Sequence, residues 1–261
     1  MRRIDSKDNK EVKLVASLCD KKYRDRESLF FFEGAHLLED YLSKGLTPRT
    51  VYFTQSAADK YGSLLIACAD AATLVSDTAF EKMSTEKAPQ GIITVSERLS
   101  NVTFGASDMS GGCLMLSSVR DAGNLGTILR TANALGIKSV ICSADCADVY
   151  GSKTVRAGMG AIFRQNIIVA DDFESEVAER VKRGIKVYAA ALGRSAVTLC
   201  DGLLTQSDCI MIGNEGQGIA QEIMDICTSP LLIPMEQGCE SLNAASAATV
   251  LMWEMRRSRH E

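Results

Sequence analysis

The second half of the chain is built from short runs of almost unbroken apolar sequence, and these constrain the fold more than any other feature. They are CLMLSSV (113–119), SVICS (139–143), NIIVA (166–170), KVYAAAL (186–192), CIMIG (209–213) and PLLIPM (230–235). Each is far shorter than a membrane-spanning segment and has the character of a strand covered on both faces. Helical patterns separate them: LGTILRTANALG (125–136), a short stretch near 152–160, DFESEVAERVKRG (172–184), and a long final helix through SLNAASAATVLMWEMRRSR (241–259). Strands alternating with helices predict an α/β domain with a mostly parallel sheet. In such sheets ligands bind beyond the carboxyl ends of the strands. GNLGTILR (123–130), GNEGQG (213–218) and ESLNAAS (240–246) all stand just after an apolar run, so they are expected to converge there.

The first hundred residues alternate between helix and strand patterns as well. Val12, Val15, Ala16 and Cys19 recur at helical spacing, and LFFFEG (29–34) is apolar. RTVYFT (49–54) and GIITVSE (91–97) suit strands, and 57–70 suits a helix. RLSNVTFGASDMSGG (98–112) is small and polar, which predicts a flexible connection rather than an element. The expected organisation is a first domain over 1–97, a linker over 98–112 and a second domain over 113–261.

Composition sets limits without identifying a function. Hydrophobic residues are 46% and charged residues 24% of the 261, ordinary for a soluble protein. No apolar segment is long enough for a membrane helix, and MRRIDSKDNKEVK has no signal-peptide core, so the expectation is the cytoplasm and no membrane. The nine cysteines are scattered without a CxxC, and they read as buried, reduced thiols. The formal charge is −4, so the whole molecule is not an electrostatic trap for nucleic acid. Residues 1–30 do carry nine basic against six acidic side chains, which suits a solvated helix face as well as a phosphate-binding surface.

Several chemistries lack their tools. There is no GxGxxG fingerprint and no Walker A loop. His36 and His260 are the two histidines, so a Ser–His or Cys–His pair or a His-based metal site in the second domain is not expected. What remains is Arg, Asn, Glu and Ser among glycines. Gly213 and Gly216 flank Asn214 and Glu215, a pattern that suits a ligand-contacting loop and equally a strand-to-helix turn with polar surface residues. Asn124 is placed to cap the helix that starts near Leu125, with Arg130 under two turns later. Ser241 is placed to cap the last helix, with Asn243 in its first turn.

Taken together, SSVRDAGNLGTILRTANALGI (117–137), IMIGNEGQGI (210–219) and LLIPMEQGCESLNAASAA (231–248) resemble the three ordered motifs of the SpoU/TrmH family of RNA 2′-O-ribose methyltransferases, in the SPOUT superfamily. VYGSKTVRAGMGAIFR is similar to the stretch between them, and the resemblance covers about 113–257. LFFFEGAHLLEDYL and KAPQGI resemble the smaller L30e-like substrate-binding domain that precedes the catalytic domain in many members. Ala122 and Ser152 stand where proline is usual, and Gly158 where serine is common.

The resemblance implies S-adenosylmethionine as methyl donor, a deep trefoil knot in the C-terminal domain, and no metal. It implies Arg130, Asn124, Glu215, Ser241 and Asn243 as the catalytic set. Gly213, Ile233 and Leu242 match family cofactor-binding positions, with Leu192, Gly193, Met235 and Gly238 as further lining. It also implies a homodimer acting on RNA, ribosomal RNA before tRNA. Two alternatives stand beside it: a non-catalytic RNA-binding relative of the same fold, and a nucleotide-binding α/β enzyme such as a dehydrogenase.

Overall fold

A computed structural model describes residues 2–106, 111–191, 196–239 and 241–257. The chain opens with β1 (Arg2–Ile4), α1 (Lys10–Ser17), α2 (Lys21–Glu27), β2 (Leu29–Glu33) and α3 (Ala35–Ser43). β3 (Thr50–Phe53), α4 (Gln55–Ile66), β4 (Ala72–Val75), α5 (Asp77–Met83) and β5 (Ile92–Glu97) follow. These strands form a mixed sheet in the order β1-β4-β3-β5-β2, with β2 and β3 both antiparallel to β5. LFFFE reads as a continuous apolar run because both faces of β2 are covered. Phe30 and Phe32 enter the core shared with the rest of the molecule, while Leu29 and Phe31 enter a separate core against α1 and α5.

The remaining elements are β6 (Val102–Phe104), β7 (Leu114–Leu116), α6 (Ala122–Leu135), β8 (Ser139–Ser143), α7 (Ser152–Ala157), β9 (Asn166–Ala170), α8 (Phe173–Lys182) and β10 (Val187–Ala190). β11 (Val197–Thr198), β12 (Cys209–Ile212), α9 (Gln221–Ile226), β13 (Ser229–Leu232) and α10 (Ala244–Arg257) complete the chain. Eight strands form the large sheet, ordered β11-β13-β10-β12-β7-β8-β9-β6. Every described pairing in it is parallel. This agrees with the expected α/β class and places the carboxyl ends of β7, β10, β12 and β13 side by side.

Residues 98–112 depart from the expectation of a flexible connection, because β6 lies within them and extends the large sheet by pairing with β9. The reason it is invisible in sequence is physical. An edge strand is held by backbone bonds, and Thr103 and Phe104 remain exposed, so no apolar alternation marks it. Tyr150 fixes the start of this segment: its hydroxyl accepts from Leu99 N at 2.9 Å.

An aromatic cluster joins the two sheets. The Phe30 and Tyr150 rings lie 4.8 Å apart, and Phe163 sits 5.1 Å from both Phe32 and Tyr41. Beside it Arg24, only 4% exposed, donates to Asp148 Oδ2 through Nε at 3.0 Å and Nη2 at 2.6 Å. Its remaining donor reaches the Leu18 and Cys19 carbonyls, so this buried charge is fully partnered.

All nine cysteines are free thiols. Their burial departs from expectation: Cys68, Cys113, Cys142 and Cys209 are buried, but Cys19, Cys200 and Cys239 are exposed. Those three lie in connecting segments outside the named strands and helices, where a thiol has no core to enter.

Candidate active site

Helix α6 begins at the carboxyl end of β7. Asp121 is its cap, accepting from Asn124 N at 2.8 Å. This corrects the expectation that Asn124 caps the helix. Asn124 sits three residues inside, its backbone N–H is the group being capped, and its side-chain amide is left free for the site. Lys153 donates to the same Asp121 carboxylate at 3.1 Å. The Asn124 N–H and then the lysine hold the Asp121 carboxyl below its usual range. Ala122 is the first residue of α6 and Ser152 the first of α7, positions where proline is tolerated and alanine or serine serves equally.

Gly126 decides how close α6 and α7 come. A Cβ there would lie 2.5 Å from the Thr154 carbonyl oxygen and 2.6 Å from Ala157 Cβ. Gly213 plays the same part after β12, where a Cβ would stand 2.6 Å from the Gly218 carbonyl carbon. The chain turns back on itself there: Asn214 and Gly218 exchange both backbone hydrogen bonds at 2.9 Å, with Glu215 in the loop between them.

The last helix starts with Asn243, whose Oδ1 accepts from Ala245 N at 2.9 Å and whose carbonyl accepts from Ala247 N. Asn243 is therefore the cap, and Ser241 lies two residues before it, contrary to the expected assignment. An Asn side-chain oxygen reaches the amide of the second helical residue from the cap position alone.

These three elements meet. Asn243 Nδ2 donates to Asn124 Oδ1 at 3.0 Å, and Asn124 Nδ2 donates to Glu215 Oε1. The result is a directed relay from the first turn of α10, through the first turn of α6, to the glutamate carboxylate. Each amide has its oxygen and nitrogen ends fixed by what it bonds, and the carboxylate meets a side chain in the first turn of α6, near a helix end where a negative charge is favoured.

Behind the relay lies a cavity of about 210 Å³, walled by the carboxyl ends of β10, β12 and β13 and by the start of α10. Gly213, Ile233, Met235 and Leu242, expected as cofactor contacts, line it, together with Glu215 and Ser241 of the expected catalytic set. Ile212, Leu231 and Ala247 add apolar wall that the motifs did not single out. Their signal was the same as that of any core residue. Asn214 also lines it and was overlooked as a site residue, although it stands inside GNEGQG.

Other expected residues are not brought in. Gly238 does not line the cavity but sits in an exposed turn with φ +94°. Leu192 and Gly193 lie outside the described residues. Arg130 is exposed on α6, neither lines the cavity nor joins the relay, and has no ion pair among the described residues. Six residues of helix carry it roughly 9 Å along the axis from Asn124 and onto another face.

The cavity fits an extended, mostly apolar ligand with a few polar groups. Backbone approach at Gly213 is as close as a missing side chain allows, and Asn214, Glu215 and Ser241 supply polarity among aliphatic walls. Among the described residues no group of three His, Cys, Asp or Glu side chains is placed to hold a metal ion.

Comparison with known proteins agrees with this architecture in both halves. Residues 9–94 match the MRM3-like substrate binding domain. The 23S rRNA (guanosine(2553)-2'-O)-methyltransferase RlmP of Bacillus subtilis is 30% identical over 98% of this chain and 100% of its own. The 23S rRNA (uridine(2479)-2'-O)-methyltransferase of Streptomyces viridochromogenes is 27% identical over 99% of this chain and 93% of its own. Among solved structures, the AdoMet-bound rRNA methyltransferase from Sinorhizobium meliloti superposes with a TM-score of 0.81 at 27% identity, over 98% of this chain and 97% of that one. Residues 112–253, which hold the whole cavity and relay, match the SpoU rRNA Methylase family, and the chain belongs to that family.

Proposed function

We propose that this protein transfers a methyl group from S-adenosylmethionine to a ribose 2′-hydroxyl of RNA, ribosomal RNA before tRNA. The observation that carries the reading is the Glu215–Asn124–Asn243 relay at the rim of a strand-end cavity, in a chain of this family. Two relatives that span nearly the full chain act on 23S rRNA by name, and an AdoMet-bound relative shares the fold. Gly213, Ile233, Met235 and Leu242, which line the cavity, would hold the cofactor. When bound, S-adenosylmethionine supplies a methyl group already activated on a sulfonium.

The chain's own work is to place the hydroxyl and make it nucleophilic. Arg130 is proposed to grip the adjacent phosphate with its planar fork and to lower the hydroxyl's pKa electrostatically. A guanidinium offers five N–H donors and no acceptor, which argues for electrostatic activation rather than proton uptake. Asn124, Glu215 and Asn243 provide polar groups already held in place by the relay, with Ser241 on the cavity wall beside them.

Arg130 stands off the cavity within one chain, which supports a homodimer in which each site lies close to the partner's chain. The knot is likewise a proposal. It is supported by the path of the chain, in which β13 joins the sheet between β10 and β11 before α10 returns to pack on α6 and β12. Nine free thiols support a reducing compartment, with the cytoplasm as the proposed location.

The test is to map 2′-O-methyl sites on total RNA from cells lacking the protein, and from such cells supplied with wild type or Arg130→Ala. At least one ribosomal site should vanish, return with wild type and not with Arg130→Ala, whose affinity for S-adenosylhomocysteine should stay near wild type. No lost site would overturn the function, and retained turnover in the variant would overturn the role of Arg130.

A further inference from the structure

Glu215 stands at the tip of a short hairpin, where a polar residue ordinarily samples several conformations. Two layers of hydrogen bonds prevent that here. In the first, Asn214 Oδ1 accepts from both Gly216 N at 2.9 Å and Gln217 N at 3.0 Å. The amides that follow Glu215 in the loop are thus tied to a single oxygen. The other end of that side chain, Asn214 Nδ2, donates to the Ser118 carbonyl at 2.8 Å. The loop after β12 is thereby tied to the turn after β7.

The second layer holds Ser118 itself. Its φ is +58°, in the left-handed region that a residue with a Cβ seldom adopts, so something must keep it there. Ser118 N donates to Ser143 Oγ at 2.9 Å, and Ser118 Oγ donates to Asp145 Oδ2 at 2.6 Å. Ser143 Oγ in turn donates to Asp145 Oδ1 at 2.6 Å, and Arg120 Nη2 to Asp145 Oδ2 at 3.1 Å. Burial pushes the Asp145 carboxyl up, but these three donors outweigh it and bring it below its usual range, so it is charged at neutral pH. Neither Asp145 nor Ser118 nor Ser143 lines the cavity.

We propose that Asp145 is a positioning residue for the cofactor and acceptor site, acting through Ser118 and Asn214. By holding Ser118 left-handed it aims the Ser118 carbonyl at Asn214, and Asn214 then fixes the loop that presents Glu215 to Asn124. The carboxylate comes from the turn after β8, so three neighbouring strand ends, those of β8, β7 and β12, are locked in one register. The proposal rests on the methyl-transfer reading for its consequence in catalysis, but the loop order it describes is measurable without any RNA.

The experiment uses the full-length protein and the variants Asp145→Ala, Asp145→Asn, Asn214→Ala and the double variant Asp145→Ala/Asn214→Ala. Hydrogen exchange at the Gly216 and Gln217 amides is followed, together with calorimetric titration of S-adenosylhomocysteine and the melting temperature. Asp145→Ala should speed exchange at those two amides by about tenfold or more and weaken ligand affinity about tenfold, whatever the RNA substrate is. Asp145→Asn keeps the volume and one acceptor oxygen, so it should fall between wild type and Asp145→Ala, and it carries the test if the alanine variant does not fold. Because both residues act along one path, the double variant should bind ligand no more weakly than Asn214→Ala alone. Unchanged exchange at Gly216 and Gln217, or additive losses in the double variant, would overturn the proposal. A lowered melting temperature with normal affinity would do the same. Failure of the methyl-transfer reading would show differently, as absent RNA methylation by the wild type with the loop effects intact.

Discussion

At the scale of single residues, the site depends on constraints at three positions. Asn124 and Asn243 are short amides near helix starts, and in isolation either would fold back to bond its own backbone. Asp121 takes the cap of α6 and so releases Asn124, while Asn243 divides its two ends between capping α10 and bonding Asn124. Gly213 is the third constraint, and here the absent atom is the function. An alanine methyl would meet Gly218 and Ile219 at 2.6 Å, in a turn locked by two backbone bonds. Overpacking of that kind costs about 1–3 kcal/mol, so Gly213→Ala should weaken S-adenosylhomocysteine binding by roughly tenfold to a hundredfold while the global fold persists. Calorimetric titration alongside circular dichroism checks both halves of that expectation.

Elements answer a different question, which is how the N-terminal sheet is held against the large one. The contact is the aromatic cluster around Tyr150, with Arg24 and Asp148 beside it. Burial pushes the Tyr150 hydroxyl up from its ordinary 10.0 to about 12. A group whose folded pKa is raised favours the folded state fully below the unfolded pKa and loses that contribution as pH rises through the folded one. The docking of β2 on the large sheet should therefore hold its full Tyr150 contribution below pH 10, and lose it as pH rises from 10 towards about 12. Urea melts at a series of pH values, set beside Tyr150→Phe, measure it. The wild type should lose more stability than the variant across that window, and parallel losses would show that Tyr150 is not the group concerned.

For the whole molecule, the exposed apolar residues bear on assembly. Leu251, Met252 and Met255 of α10 are buried within the chain, yet Trp253 on the same helix remains 55% exposed, as does Leu242 at 41% beside the cavity. The homodimer proposed above would cover this end of the molecule, and the role proposed for Arg130 requires that residue of one copy to reach the site of the other. Sedimentation at micromolar concentration should give about twice the 28.2 kDa of one chain. A monomer under those conditions would remove the dimer and leave Arg130 without an evident route to the cavity.

The sequence alone determined most of the large sheet, since β7, β8, β9, β10 and β12 are buried on both faces and each therefore had to be an apolar run; β13 is apolar as well, although Leu231 is its one buried residue. It also marked Asn124, Gly213, Glu215, Ser241 and Asn243, through the three ordered motifs that resemble the SpoU/TrmH family; their place after apolar runs alone suits a polar surface turn equally. Edge strands β6 and β11 were not legible, being held by backbone bonds that carry no side-chain signature. Tertiary structure alone decided that the two asparagine side chains meet. The caps themselves are local, from Asp121 to the Asn124 N–H and from Asn243 to the Ala245 N–H, but Asn124 and Asn243, 119 positions apart, bond only once α6 and α10 pack together. It alone also disclosed the support beneath Glu215. A carboxylate after β8, a left-handed serine after β7 and an amide after β12 have no common pattern in the sequence, and they become one structure when three parallel strands set their ends side by side.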